Sequence, residues 1–172
     1  MSDTKLVEAW VAGDAAAGDA LLRHIQPDVY ALCYRILGDG TDAEDAVQET
    51  FTNLVRSRGS LRDVRDFRKW LATVATNAAL NLRKKRGREA PSELFDLPAP
   101  VRDTIPADSV ELEALKKALE DLPPRHRLAL HYRYRMGLPL KQVAEMLEVS
   151  EANVRVILHR AIAHARKKAK EM

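Results

Sequence analysis

Half of the chain's eight prolines, Pro91, Pro98, Pro100 and Pro106, fall between Gly87 and Ala107, and across that span the apolar periodicity that runs through the rest of the sequence vanishes. A segment this long without periodicity does not belong inside one compact domain. The chain is therefore expected to fold as two units, residues 1–88 and 108–172, joined by an acidic, proline-rich linker over 89–107. Both flanking stretches are rich in Ala, Leu, Arg and Glu, with only seven glycines and 5% aromatic residues, a make-up that favours helices and excludes sandwiches and barrels. The expected class is all-α.

With 46% apolar and 31% charged residues, the 172-residue chain can bury a core. Its longest charge-free run, Trp70 to Leu82, holds two Thr and two Asn, well short of the roughly 18 apolar residues of a membrane span. The opening MSDTKLVEAW lacks the basic and apolar regions of an export signal. Cys33 is the sole cysteine, so no disulfide, thiolate zinc site or redox pair is expected, and a cytoplasmic setting fits.

The formal net charge is only +3, yet charge is laid down in blocks. Residues 1–61 are net −5, 62–88 net +7, 89–122 net −6 and 123–170 net +8. Two basic blocks parted by an acidic one point to two polyanion-binding surfaces, one per unit. Ordinary solvated helix faces would give the same tally, so charge alone leaves both readings open.

In the first unit, Leu6, Val7, Trp10 and Val11 form a short apolar stripe, and a longer one runs from Leu21 to Leu37. Pro27 is expected to kink or restart the second helix, and Gly38-Asp39-Gly40 to end it. Thr41 and Glu44 have the spacing of a capping box. The helix they open should run to about Arg58, with Ala43, Val47, Phe51, Leu54 and Val55 inward and Asp45, Gln48, Glu49 and Thr52 on a polar face. A further helix over Phe67–Lys85 places Phe67, Trp70, Leu71, Val74, Ala75, Ala78 and Leu82 on one stripe. Lys69, Thr73, Thr76, Asn77, Leu80 and Lys84 take the opposite side or its edge. Leu80 is the odd member. An apolar side chain beside Arg83-Lys84-Lys85-Arg86 fits contact with a ligand that has both phosphates and base surfaces.

In the second unit, Asp108-Ser109 offers an N-cap for a helix ending before Pro123-Pro124, where the next begins and continues to about 136, with Gly137 as its stop. Residues 140–160, LKQVAEMLEVSEANVRVILHR, then have the spacing of a helix-turn-helix. Val143, Leu147, Val149, Val154 and Ile157 are apolar, Ala144 is small where the helices would cross, and Ser150 is placed to cap the second helix. Glu148 stands where a glycine would relieve a left-handed turn, at a cost of roughly 1 kcal/mol.

Taken with Ile36-Leu37-Gly38-Asp39, DAEDAVQETF (42–51), FRKWLATVATNAALNLRKK (67–85) and LEDLPPRHRLALHYRYRMGL (119–138), this motif makes the chain resemble the extracytoplasmic-function subgroup of bacterial sigma-70 family sigma factors. The resemblance implies a promoter-specificity factor with no catalytic residues, no cofactor and no metal. It implies as partners core RNA polymerase, through the clamp helices of its largest subunit and its flap, promoter DNA, and a cognate anti-sigma factor. Asp45, Gln48, Glu49 and Thr52 become polymerase contacts. Arg65, Arg68, Lys69, Thr73, Thr76, Asn77, Leu80, Arg83, Lys84, Lys85 and Arg86 become contacts to the minus-ten element, with Asn77 matching a characteristic family asparagine and Thr76 standing where an arginine is frequent. Arg125, Lys141, Ser150, Glu151, Asn153, Arg155, His159 and Arg160 become contacts to the minus-thirty-five element. Val156 and Ile157 replace the usual Ser and Arg, so base preferences do not carry over. The acidic linker matches the segment that lies in the family's RNA exit path, and the protein would be nucleoid-associated through polymerase.

Two rivals remain at this stage. A stand-alone helix-turn-helix regulator would bind palindromic half-sites as a dimer, but no convincing dimerisation heptad is present. An enzyme is disfavoured because the five histidines are dispersed and no HExxH, CxxC, P-loop or GxGxxG pattern occurs.

Overall fold

The computed structural model describes residues 3–63, 66–87 and 118–171, and the side chains of all of these but 62, 63 and 169. Among the described residues every regular element is helical, and the chain divides into two compact units at Arg88–Glu89. The linker over 89–107 and the helix start at Asp108-Ser109 lie outside the described residues.

In the first unit, α1 (Asp3–Val11), α2 (Ala15–Leu37), α3 (Gly40–Arg56) and α4 (Phe67–Lys85) are joined by short turns, with a 3-10 segment, Arg58–Asp63, before α4. An aspartate starts each of the last three helices. Asp14, Asp39 and Asp66 accept hydrogen bonds from the backbone N–H of Ala17, Asp42 and Lys69 at 3.1, 2.9 and 3.1 Å. Each satisfies a donor that a helix start would otherwise leave free, worth about 1 kcal/mol. Thr41, expected to open α3 through a capping box, lies inside the helix. Asp39 caps instead because it follows Gly38, whose φ of 71° turns the chain out of α2.

Helix α2 is the hub, packed against α1, α3 and α4. Leu21, Ile25, Val29, Leu32, Cys33 and Ile36 line its buried seam. Desolvation pushes the Cys33 thiol up to about 12, leaving it neutral and unreactive. Pro27, expected to kink or restart the helix, sits within one continuous helix. It is exposed, as is Arg23, whose carbonyl the proline leaves without a helical donor, so water can serve that oxygen.

In the second unit, residues 118–120 end a helix, and α5 (Pro124–Leu130) starts with Pro124 at a first-turn position. α5 runs into a π-helical turn, His131–Arg135, which Met136 N–H closes onto His131 O at 2.9 Å. Buried Tyr132 and Met136 fix this turn in the core, and Gly137, at φ 71°, ends it. α6 (Leu140–Met146) and α7 (Glu151–Glu171) follow, and both α5 and α6 pack on α7.

Candidate nucleic-acid interface

On α3, buried Ala43, Ala46, Val47, Thr50 and Leu54 face the core and leave Asp45, Gln48, Glu49 and Thr52 exposed together on the outer side. The Thr52 hydroxyl donates to Gln48 O at 2.8 Å. Val55, expected inward, is 53% exposed and extends this outer face. Asp45 is tied at 3.1 Å to Arg86 Nη2, and Arg86 also pairs with the buried Asp42.

Helix α4 packs against both α2 and α3, so its buried arc is wider than a single stripe. Leu71, Ala72, Ala75, Thr76, Ala78, Ala79 and Arg83 all lie within it. Two expected DNA contacts therefore sit inside. Thr76 is 5% exposed, and Arg83 is 8% exposed and donates from Nη1 to Ile36 O at 3.2 Å. That carbonyl lies in the last turn of α2, where a cation also meets the negative end of the helix dipole. Arg68 is half-buried and bound to Asp3 and, at 3.0 Å, to Asp28. Arg65 lies outside the described residues.

What α4 does present outward is a ridge of Trp70, Thr73, Asn77, Leu80 and Lys84, spaced by three, four, three and four residues and so aligned along one side. Asn77 and Lys84 are exposed, the others half-buried, and Lys85 and Lys69 flank the ridge. Thr73 Oγ1 donates to Lys69 O at 2.9 Å. Trp70, read from the sequence as core, belongs to this ridge and stacks on Phe67 at 6.3 Å. Exposed Asn81 was likewise not expected there. Their spacing from Asn77, seven residues before and four after, is the signal that marks them.

In the second unit the helix-turn-helix forms as the spacing predicts. Glu148 takes φ 53°, Val149 N–H donates to Ala144 O at 3.0 Å, and Ser150 Oγ accepts from Asn153 N–H at 3.2 Å to cap α7. Val154, Leu158, Ala161 and Ala165 are buried. Asn153, Arg155, Val156, His159 and Arg160 are exposed on the other sides of α7, and Lys141 is exposed near the start of α6. Arg155 and Glu151 lie 3.6 Å apart, an exposed pair that holds neither firmly. Arg125 differs from the rest. It is half-buried and donates from Nη2 to Leu147 O at 3.2 Å, bracing the turn from α5. His126 has its pKa lowered by desolvation, then by Arg160, Arg125 and His164.

Among the described residues, no cluster of three or more His, Cys, Asp or Glu could hold a metal, and no helix is long and apolar enough to cross a membrane.

One four-helix unit and one unit built on a helix-turn-helix define a two-domain, all-helical class of protein. The sigma-70 region 2 model matches residues 21–89 and the sigma-70 region 4 model residues 118–167. The chain belongs to the family of ECF RNA polymerase sigma factors. It is 37% identical to ECF RNA polymerase sigma factor SigE of Mycolicibacterium smegmatis, over 86% of this chain and 61% of that protein. It is 31% identical to SigM of Mycobacterium tuberculosis, over 94% of this chain and 82% of the relative. With the Haemophilus influenzae sigma-E factor the identity is 30%, over 94% and 92%. A similar fold occurs in the Bartonella quintana sigma factor RpoE, solved with the anti-sigma factor NepR. The match has a TM-score of 0.64 and 22% identity, over 88% of this chain and 96% of that one. CnrH, solved with the cytosolic domain of CnrY, gives 0.60 and 21%, over 96% and 95%. The stand-alone regulator reading gives way to the sigma-factor reading.

Proposed function

We propose that this sigma factor binds core RNA polymerase, carries it to promoters through two DNA contacts and helps open the duplex, and that it performs no bond chemistry of its own. The outer face of α3, with Asp45, Gln48, Glu49 and Thr52, docks on polymerase. The α4 ridge, with Lys69, Thr73, Asn77, Leu80, Lys84 and Lys85, receives the minus-ten strand. Stacking on Trp70 or Leu80 and amide bonding by Asn77 to a base edge would offset the few kcal/mol that extruding a base costs. Arg68, Thr76 and Arg83 act as framework for the ridge, and Arg86 joins α4 to α3.

The second unit reads the minus-thirty-five duplex through α7. Ser150 and Glu151 start the helix, Asn153, Arg155, His159 and Arg160 face the groove and its phosphates, and Lys141 and Arg125 lie toward the flanking backbone. The single observation that carries the proposal is that the exposed side of α7 holds these polar and cationic residues while its opposite side is buried. The complex of a sigma factor of similar fold with the anti-sigma factor NepR supports a cognate anti-sigma factor as a further partner, and the cytosolic domain bound to CnrH supports the cytoplasm as the site of action. Single-round transcription with bacterial core polymerase and a promoter library tests the proposal. The expected result is initiation that depends on both elements, and initiation indifferent to promoter sequence would refute it.

A further inference from the structure

At 100° per residue, the buried residues of α7, Val154, Leu158, Ala161 and Ala165, cluster about a direction roughly 170° from Val156. Val156 is thus at the centre of the outward face, and it is 45% exposed. Ala152, Asn153, His159 and Arg160, all exposed, surround it within about 60° on either side. No packing role accounts for a branched apolar side chain in that place. Among the described residues the other large exposed apolar side chains, Val55 and Tyr134, lie on other elements. A protein-docking surface is expected to offer a contiguous apolar patch, whereas here the isopropyl group, with the small methyl of Ala152 beside it, is the one large apolar side chain among the amide, imidazole and guanidinium of Asn153, His159 and Arg160.

In the major groove one base carries an apolar marker, the C5 methyl of thymine. We propose that Val156 determines promoter specificity by packing against a thymine methyl in the minus-thirty-five element, with Asn153 and Arg160 bonding to neighbouring base edges or phosphates. This rests on the assignment of α7 to that duplex and adds what it reads there. Val156 cannot hydrogen-bond, so it contributes no preference that a polar edge would give. It favours an A·T pair at its position in the one orientation that brings the methyl under the helix.

The test uses holoenzyme assembled from the full chain and core polymerase. The preferred minus-thirty-five element is selected from a randomised library, and each thymine in it, on either strand, is replaced in turn by uracil, which deletes the methyl alone. Promoter affinity is then measured with the unmodified protein and with V156A, whose exposed position leaves the fold intact, as equal melting temperatures would verify. The expected result is one thymine whose replacement weakens binding roughly fourfold with the unmodified protein and leaves binding by V156A unchanged. Uracil tolerated at every position, a loss of the same size with V156A, or a selected element without thymine would each overturn the proposal. A library that yields no minus-thirty-five preference overturns the assignment of α7 itself and is distinguishable because no element is selected.

Discussion

The Arg86 guanidinium, just past the end of α4, lies 3.1 Å from the carboxylate of Asp45 on the outer face of α3, and also grips Asp42 one turn earlier. The two carboxylates differ in what they need from it. Asp45 is exposed and well hydrated, whereas Asp42 is 1% exposed and its charge relies on protein partners. Replacing Arg86 with Gln should therefore destabilise the first unit by about 1–3 kcal/mol through Asp42, lowering its melting temperature by roughly 5 °C or more. D45N should cost under about 0.5 kcal/mol. Calorimetry of the two variants decides the matter, and equal effects would show that the clasp works through the surface pair.

Gly18 in α2 lies under the indole of Trp10, and a Cβ built there overlaps the ring. Alanine would normally favour a helix interior by up to about 1 kcal/mol. Here the expected sign is reversed. G18A should destabilise the first unit by about 1–3 kcal/mol as the indole is displaced from α2 and from Arg58, which lies 5.6 Å over it. Thermal unfolding together with the near-ultraviolet signal of tryptophan would reveal the change, and a stabilised variant would contradict the packing described.

Glu148 holds φ 53° in the turn between α6 and α7. A side chain there strains the backbone, so E148G should raise stability by up to about 1 kcal/mol, while E148A, which keeps the Cβ, should give no gain. Urea titration followed in the second unit should show a higher midpoint with an unchanged slope for the glycine variant alone.

His126 titrates below the ordinary histidine value of 6.5, first because it is desolvated and then because Arg160, Arg125 and His164 oppose a further positive charge. Below pH 6.5 the unfolded chain takes up a proton that the folded one resists. The stabilisation is accordingly present above that value and lost as the solution is acidified through the lowered pKa. H126Q should flatten the dependence of the second unit's stability on pH below about 6.5. A profile as steep as that of the unmodified protein would assign the effect to another group.

The two-unit division, the approximate spans of the described helices and the whole helix-turn-helix were legible in the sequence, because proline clustering and 3.6-residue periodicity are local signals, whereas the effect of Pro27 and the cap of α3 were not. Even the left-handed residue at Glu148 followed from the motif's spacing. The inward and outward faces of α4 were less legible. Periodicity reports an apolar stripe, but α4 has helices on two sides, so Thr76 and Arg83 are enclosed by neighbours that the stripe does not announce. Val55 and Trp70 were misplaced for the converse reason, since an apolar side chain at a helical spacing looks like core whether or not a neighbour covers it. The Asp3 and Asp28 partners of Arg68 join residues some 40 or more positions apart, a pairing that local patterns do not encode.

Arg83 and Arg127 are both turned inward, their guanidinium groups spent on the carbonyl oxygens of Ile36 and Glu120 at 3.2 and 2.8 Å. The salt dependence of promoter binding should consequently register fewer displaced counterions than the arginine and lysine tally suggests, since each phosphate neutralised contributes about 0.9 to the logarithmic slope and an enclosed guanidinium contributes none. Neutralising either residue would then lower the melting point and leave that slope where it was, which separates cations that hold the scaffold from cations that hold DNA.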